Sequence, residues 1–144
     1  MMHPGTHHPQ PGDAGGPTAV LLHPDPFVRR KLRRALGLAG CPQVLEAGSA
    51  AEATRHIVEG LVDVVLAPWG LEGQSGPMLA AGFKGRRPKR VIPVIVLDDG
   101  LSQADVVSAV KAGVVGRLLL EQDGPAMASH LRTLLARLGE SGQE

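Results

Sequence analysis

The chain has 144 residues, 43% of them hydrophobic and 20% charged, with a formal net charge of +1. That length and apolar content suit one domain with its own core. No apolar run approaches the ~20 residues of a membrane span, no basic-then-apolar leader opens the chain, and one cysteine excludes an internal disulfide or multi-cysteine metal site; a cytoplasmic protein is expected.

Residues 1–17, "MMHPGTHHPQPGDAGGP", have no apolar period and are expected to be a disordered tail. His3, His7 and His8 lie in it on no fixed frame, so they predict no metal site. From Ala19, "AVLL" reads as a buried strand. A helix follows, with Val28, Leu32, Ala35, Leu36 and Ala39 at helical spacing and Gly40 as its stop. Its other faces carry "RRKLRR" (Arg29, Arg30, Lys31, Arg33 and Arg34), with no acid among them to form ion pairs along the helix. Cys41 precedes Pro42 in a turn and is expected to be structural, since a reactive thiol needs an activating cation.

"QVLEA" is the second strand. Ser49 with Glu52 forms a capping box that opens a helix ending at Gly60. "DVVLA" is the third strand, followed by a Gly-rich loop and a short helix near 77–83. A second basic run, "KGRRPKR", covers 84–90. "VIPVIVL" is apolar throughout, as a central parallel strand covered on both faces should be. Ser102 caps a helix bearing Val106, Val107 and Val110 and ending at Gly113. "GRLLL" is a short fifth strand, and the last helix starts at Pro125 with Met127, Leu131, Leu134, Leu135 and Leu138 on one face. The domain is expected over 18–138, with 139–144 as a C-terminal tail.

Five strand–helix units predict an α/β domain with a doubly wound parallel sheet of five strands in the order 2-1-3-4-5. Such sheets bind ligands beyond the carboxyl ends of their strands. The candidates there are His23, Pro24 and Asp25, then Pro68 and Trp69, then Asp98 and Asp99, then 119–122.

The segments resemble the response-regulator receiver domain, the flavodoxin-like family of the bacterial chemotaxis protein CheY. "AVLLHPDPFVRRKLRRAL" is similar to the family's "VLVVDDDPxVRxxLRxxL". "VDVVLAPWGLEGQSG" is similar to "PDLVLLDxxMPxMDG", "PVIVLDD" to "PVIxLTA", and "AVKAGVVGRLLLEQ" to "ALEAGAxxYLxKPF". The resemblance runs over 18–138 in unbroken order.

It implies chemistry that the residues do not carry. The phospho-acceptor aspartate is matched by Pro68, which has no nucleophilic atom. The acidic pair that holds Mg²⁺ is matched by His23 and Pro24, and Mg²⁺ prefers oxygen ligands. Asp98 matches the threonine or serine that reads the phosphoryl oxygen, Leu120 matches the lysine, and Glu121 the proline after it. The resemblance therefore implies a degenerate pseudo-receiver with no phosphoryl transfer, not an enzyme, and no cofactor. Asp25, Asp98, Asp99 and Glu121 read as loop or capping carboxylates rather than a replacement metal site.

Function then falls to surfaces. The leading expectation is a phosphorylation-independent protein-interaction module of a two-component or phosphorelay system, with a signalling protein or a second copy of itself as partner. Its contact residues are expected on the face that receivers use for partners: Arg117, in the place of the family's switch aromatic, with Leu119 and Val106. The alternative is an anion sensor that binds a nucleotide or cyclic dinucleotide through Arg29, Arg30, Arg33 and Arg34. Nucleic acid is not expected, for Trp69, Phe27 and Phe83 are the only aromatics and no reading module is present. His56 and His130 have no partner at ligand or triad spacing.

Overall fold

The computed structural model describes residues 17–60, 62–70 and 92–141. The tail at 1–16, the loop and helix expected over 71–83, the basic run at 84–90 and residues 142–144 lie outside the described residues.

The strands are β1 (Thr18–Leu22), β2 (Gln43–Ala47), β3 (Val64–Pro68), β4 (Val94–Asp98) and β5 (Gly116–Leu119). They form one parallel sheet in the order β2-β1-β3-β4-β5, as expected. The described helices are α1 (Pro26–Leu38), α2 (Ala50–Glu59), α3 (Gln103–Lys111) and α4 (Gly124–Ser141). α4 runs on into the stretch read as a C-terminal tail. None of the helices among the described residues is long and apolar enough to cross a membrane.

Strand register sorts the core into two layers. Ala19 pairs with Val64, Leu21 with Leu66, Leu66 with Ile95 and Leu97 with Leu118. Because side chains alternate between faces, these residues share one face. They bury against Leu32 and Leu36 of α1 and Met127 and Leu131 of α4. Val20, Leu22, Val65, Ala67 and Val94 line the other face, covered in part by Ala53 and Ile57 of α2. A strand buried on both faces must be apolar at every position, which is why β1 and β4 are uninterrupted apolar runs over most of their length.

Local chemistry fixes the ends. Asp25 caps α1, its Oδ1 accepting from Phe27 N at 2.9 Å, with Pro26 in the first turn. Gly40, at φ +95°, gives the left-handed turn that ends the helix. Ser49 Oγ accepts from Glu52 N at 3.2 Å, while Glu52 Oε1 reaches back to Gly48 N at 2.8 Å. The expected capping box is thus present, its return bond one residue earlier than the usual form. Ser102 Oγ caps α3 through Asp105 N, and Asp123 Oδ1 accepts from Ala126 N at the start of α4.

Candidate functional site

At the switch between β1 and β3, the tips hold His23, Pro24, Asp25, Pro68 and Trp69. Backbone groups along a parallel strand face its two neighbours alternately. Val65 N donates to Pro93 O, toward β4, so Pro68, three residues on, faces β1. The β1–β3 pairing ends at Leu21 with Leu66, one step before an N–H from position 68 would be needed. A proline is tolerated there because it terminates a ladder rather than interrupting one.

His23 is oriented by its neighbours. Its Nδ1 accepts from Asp25 N at 3.0 Å, which leaves Nε2 to carry the proton, and its carbonyl accepts from Arg29 Nη1 at 2.6 Å. Burial lowers its pKa from the ordinary histidine value, against the pull of Asp25 and Asp99. A neutral imidazole, two prolines and a carboxylate with one oxygen committed to capping α1 do not fit the Mg²⁺ that the receiver resemblance implies. Among the described residues no group of three or more His, Cys, Asp or Glu is placed to hold a metal ion.

Asp98 ends β4 and is only 5% exposed. Its Oδ1 accepts from Gly100 N at 2.9 Å and Leu101 N at 2.8 Å, and its Oδ2 lies 3.5 Å from Arg117 Nε. Burial alone would raise its pKa. The amides of Leu101 and Gly100, with the Arg117 guanidinium, hold it below the ordinary carboxylate value instead. Gly100 supplies the turn at φ +125°, a conformation that other residues rarely adopt. Leu120 is half-buried against the first core layer. Its carbonyl accepts from Lys31 Nζ at 3.3 Å, so a lysine of α1 is drawn to that tip through the backbone.

The basic helix needs a correction. The sequence shows no acid among its arginines, yet the fold sets Glu46 of β2 between two of them. Arg29 Nε lies 3.1 Å from Glu46 Oε1 and Arg33 Nη1 2.8 Å from Oε2. Arg29 and Arg33 are therefore already paired, whereas Arg30, stacked 5.9 Å above the Phe27 ring, and Arg34 stay exposed. The four do not form a single free cationic face.

The Glu46 carboxyl is pulled below its ordinary pKa, first by the Arg33 hydrogen bond, against burial, and then by Arg29. A depressed folded-state pKa contributes stability above the unfolded value, and that contribution is lost as pH falls through the folded one. Glu46→Gln is expected to cost about 1 kcal/mol at neutral pH and low salt. The gap from the parent should close as the medium is acidified below ~4.3. Denaturant melts across that range check it, and a gap that widens on acidification would refute the pairing.

On the β5 side, Arg117 is 47% exposed along its side chain and Leu119 45% exposed, while Val106 is half-buried. Val107, Val110 and Val115 add exposed apolar surface nearby, at 46%, 66% and 48%. Beside them, α3 and the β4–β5 pair form a half-open pocket of about 300 Å³ lined by Val96, Val106, Ala109, Val110, Val114, Val115, Gly116 and Arg117. The expected contact residues do come together on one face. The pocket, the Asp98–Arg117 pair and Glu46 were absent from the sequence reading. The one signal for the first was the density of valines around Arg117.

No family model matches the sequence, and no curated protein does. Among solved structures, the chain is similar to a CheY-like response regulator receiver domain protein from Methanospirillum hungatei. The TM-score is 0.72 at 16% identity, over 88% of this chain and 98% of that one. A receiver domain protein from Clostridium thermocellum matches at 0.68 and 20% identity, covering 84% and 95%. The chemotaxis protein CheY4 of Vibrio cholerae matches at 0.68 and 16%, covering 83% and 99%. At these identities the likeness is one of fold.

Proposed function

We propose that this chain is a phosphorylation-independent pseudo-receiver, a non-enzymatic, cytoplasmic module of a two-component signalling system that acts by binding a protein partner. The observation that carries the reading is the joint replacement at the strand tips. Pro68 offers no nucleophile, His23 and Pro24 offer no carboxylate pair, and the side chains of His23 and Asp98 are already engaged within the chain. Stabilising a transferred phosphoryl group needs cationic or metal-bound groups aimed at its oxygens. A buried carboxylate and Leu120 supply the opposite.

The partner surface is the β5 edge, with Arg117, Leu119 and Val106 in contact. Arginine and exposed apolar residues on one face suit an interface core, and among the described strands β5 is unpaired on its outer side. A signalling protein or a second copy of the chain would both fit that face.

Incubation with acetyl phosphate and Mg²⁺, followed by intact-mass measurement, tests the central claim. The expected result is an unchanged mass. Gain of one phosphoryl group on an aspartate would overturn it.

A further inference from the structure

We propose that the pocket between α3 and the β4–β5 pair is a binding site for a small apolar carboxylate, of medium-chain or compact aromatic type. Its walls are Val96, Val106, Ala109, Val110, Val114, Val115 and Gly116, and its one charged group is Arg117. That composition, apolar walls with a single oriented polar group, is the ordinary make-up of a small-ligand site. Its volume of about 300 Å³ is near the lower end for ligands. It is also about twice the ~150 Å³ of an apolar cavity that admits benzene, so a chain of eight carbons is a reasonable length.

Arg117 selects the head group. Its Nε faces Asp98 Oδ2 at 3.5 Å, beyond good hydrogen-bond distance, and Asp98 takes its closer bonds from Gly100 and Leu101. Beyond Asp98, the Arg117 guanidinium has no hydrogen-bond or ion-pair partner among the described residues, so its terminal nitrogens are open to a second acceptor. They are the half of a guanidinium fork that binds a carboxylate in bidentate fashion. An aliphatic tail under α3 and a carboxylate on Arg117 would satisfy both the apolar pocket and the open fork. A neutral or cationic tail would satisfy only the first.

Val106 and Arg117 belong also to the proposed partner surface, so occupancy would alter that face. The site itself needs no partner, and its test is independent of the pseudo-receiver reading. The probe is sodium octanoate, held below its micelle concentration and titrated into the methyl-labelled protein.

Saturable shifts are expected at the Val106, Val110 and Val115 methyls, with Val20 and Val65 unmoved. Octanol, or octanoate with Arg117→Ala, should bind about tenfold more weakly, the loss of one charge-assisted contact. Val110→Trp should abolish binding, because position 110 is 66% exposed and can take a large side chain across the mouth without disturbing the core. Absence of saturable shifts, unchanged affinity in Val110→Trp, or equal affinity for octanol and octanoate would each overturn the proposal.

Discussion

Asp98→Ala is expected to destabilise the domain by about 2–3 kcal/mol, a large cost for one polar side chain at a strand end. The carboxylate is 5% exposed and ends a strand whose other residues are all buried. It accepts two backbone amides at 2.9 and 2.8 Å and faces the Arg117 guanidinium. Truncation removes the acceptor from Gly100 N and Leu101 N together. Water can reach Gly100, which is exposed, but replaces the bond to half-buried Leu101 less well.

Asp98→Asn separates the contributions. The amide oxygen still accepts from the loop, while attraction to Arg117 is gone, so a cost of roughly 1 kcal/mol is expected. The pH dependence has a fixed sign. The folded pKa of Asp98 lies below its ordinary value, so its contribution is full at neutral pH and disappears as pH falls through the folded pKa. The stability gap between the parent and Asp98→Asn should therefore shrink on acidification. Denaturant midpoints at neutral and acidic pH measure both variants. Costs under ~0.5 kcal/mol for both would place Asp98 among ordinary surface residues.

What the sequence showed and what it hid divide along one line. Elements written in local spacing were legible: alternating faces in the strands, the Ser49 and Ser102 caps, and the strand–helix units whose right-handed crossovers favour a doubly wound parallel sheet. Asp25 lies within the same reach, two residues before the amide that it caps, and the sequence reads it as a loop or capping carboxylate. Contacts between elements were hidden. Glu46 lies 17 and 13 residues from Arg29 and Arg33, and a rule about helical neighbours cannot see an acid brought in by an adjacent strand.

The sequence reads Asp98 as the match to the phosphoryl-reading threonine or serine and Arg117 as an expected contact residue in the place of the switch aromatic. Only the register of Val96 with Arg117 sets them side by side. The pocket is the least legible feature. Val96 and Val110 read from the sequence as strand and helix positions, and a pocket between them depends on how closely α3 approaches the sheet rather than on which residues it carries.

Adjacent leucines on β5 give the other large contrast. Leu118 is 0% exposed, facing Leu97 across the ladder within the layer covered by α1 and α4. Leu118→Ala removes a buried side chain and leaves a cavity, so a loss of about 3 kcal/mol is expected, within the ~2–5 range of such truncations. For a domain of this size each kcal/mol lowers the melting temperature by about 4 °C, which puts the shift near 12 °C. Leu119, one residue on, points to the opposite face and is 45% exposed. Leu119→Ala should change stability by less than ~0.5 kcal/mol.

If β5 is the partner edge, position 119 reports function where 118 reports stability. A photo-crosslinking benzoylphenylalanine at 119 should form an adduct with the partner in the cell, and the same group at exposed Glu59, on α2, should not. Alanine at 119 should weaken the adduct formed from position 106 while thermal melts stay unchanged. That combination can arise only from a contact residue, because a residue acting through the fold would move both readouts. Loss of stability at 119, or adducts at 59 and none at 119, would move the interface away from β5.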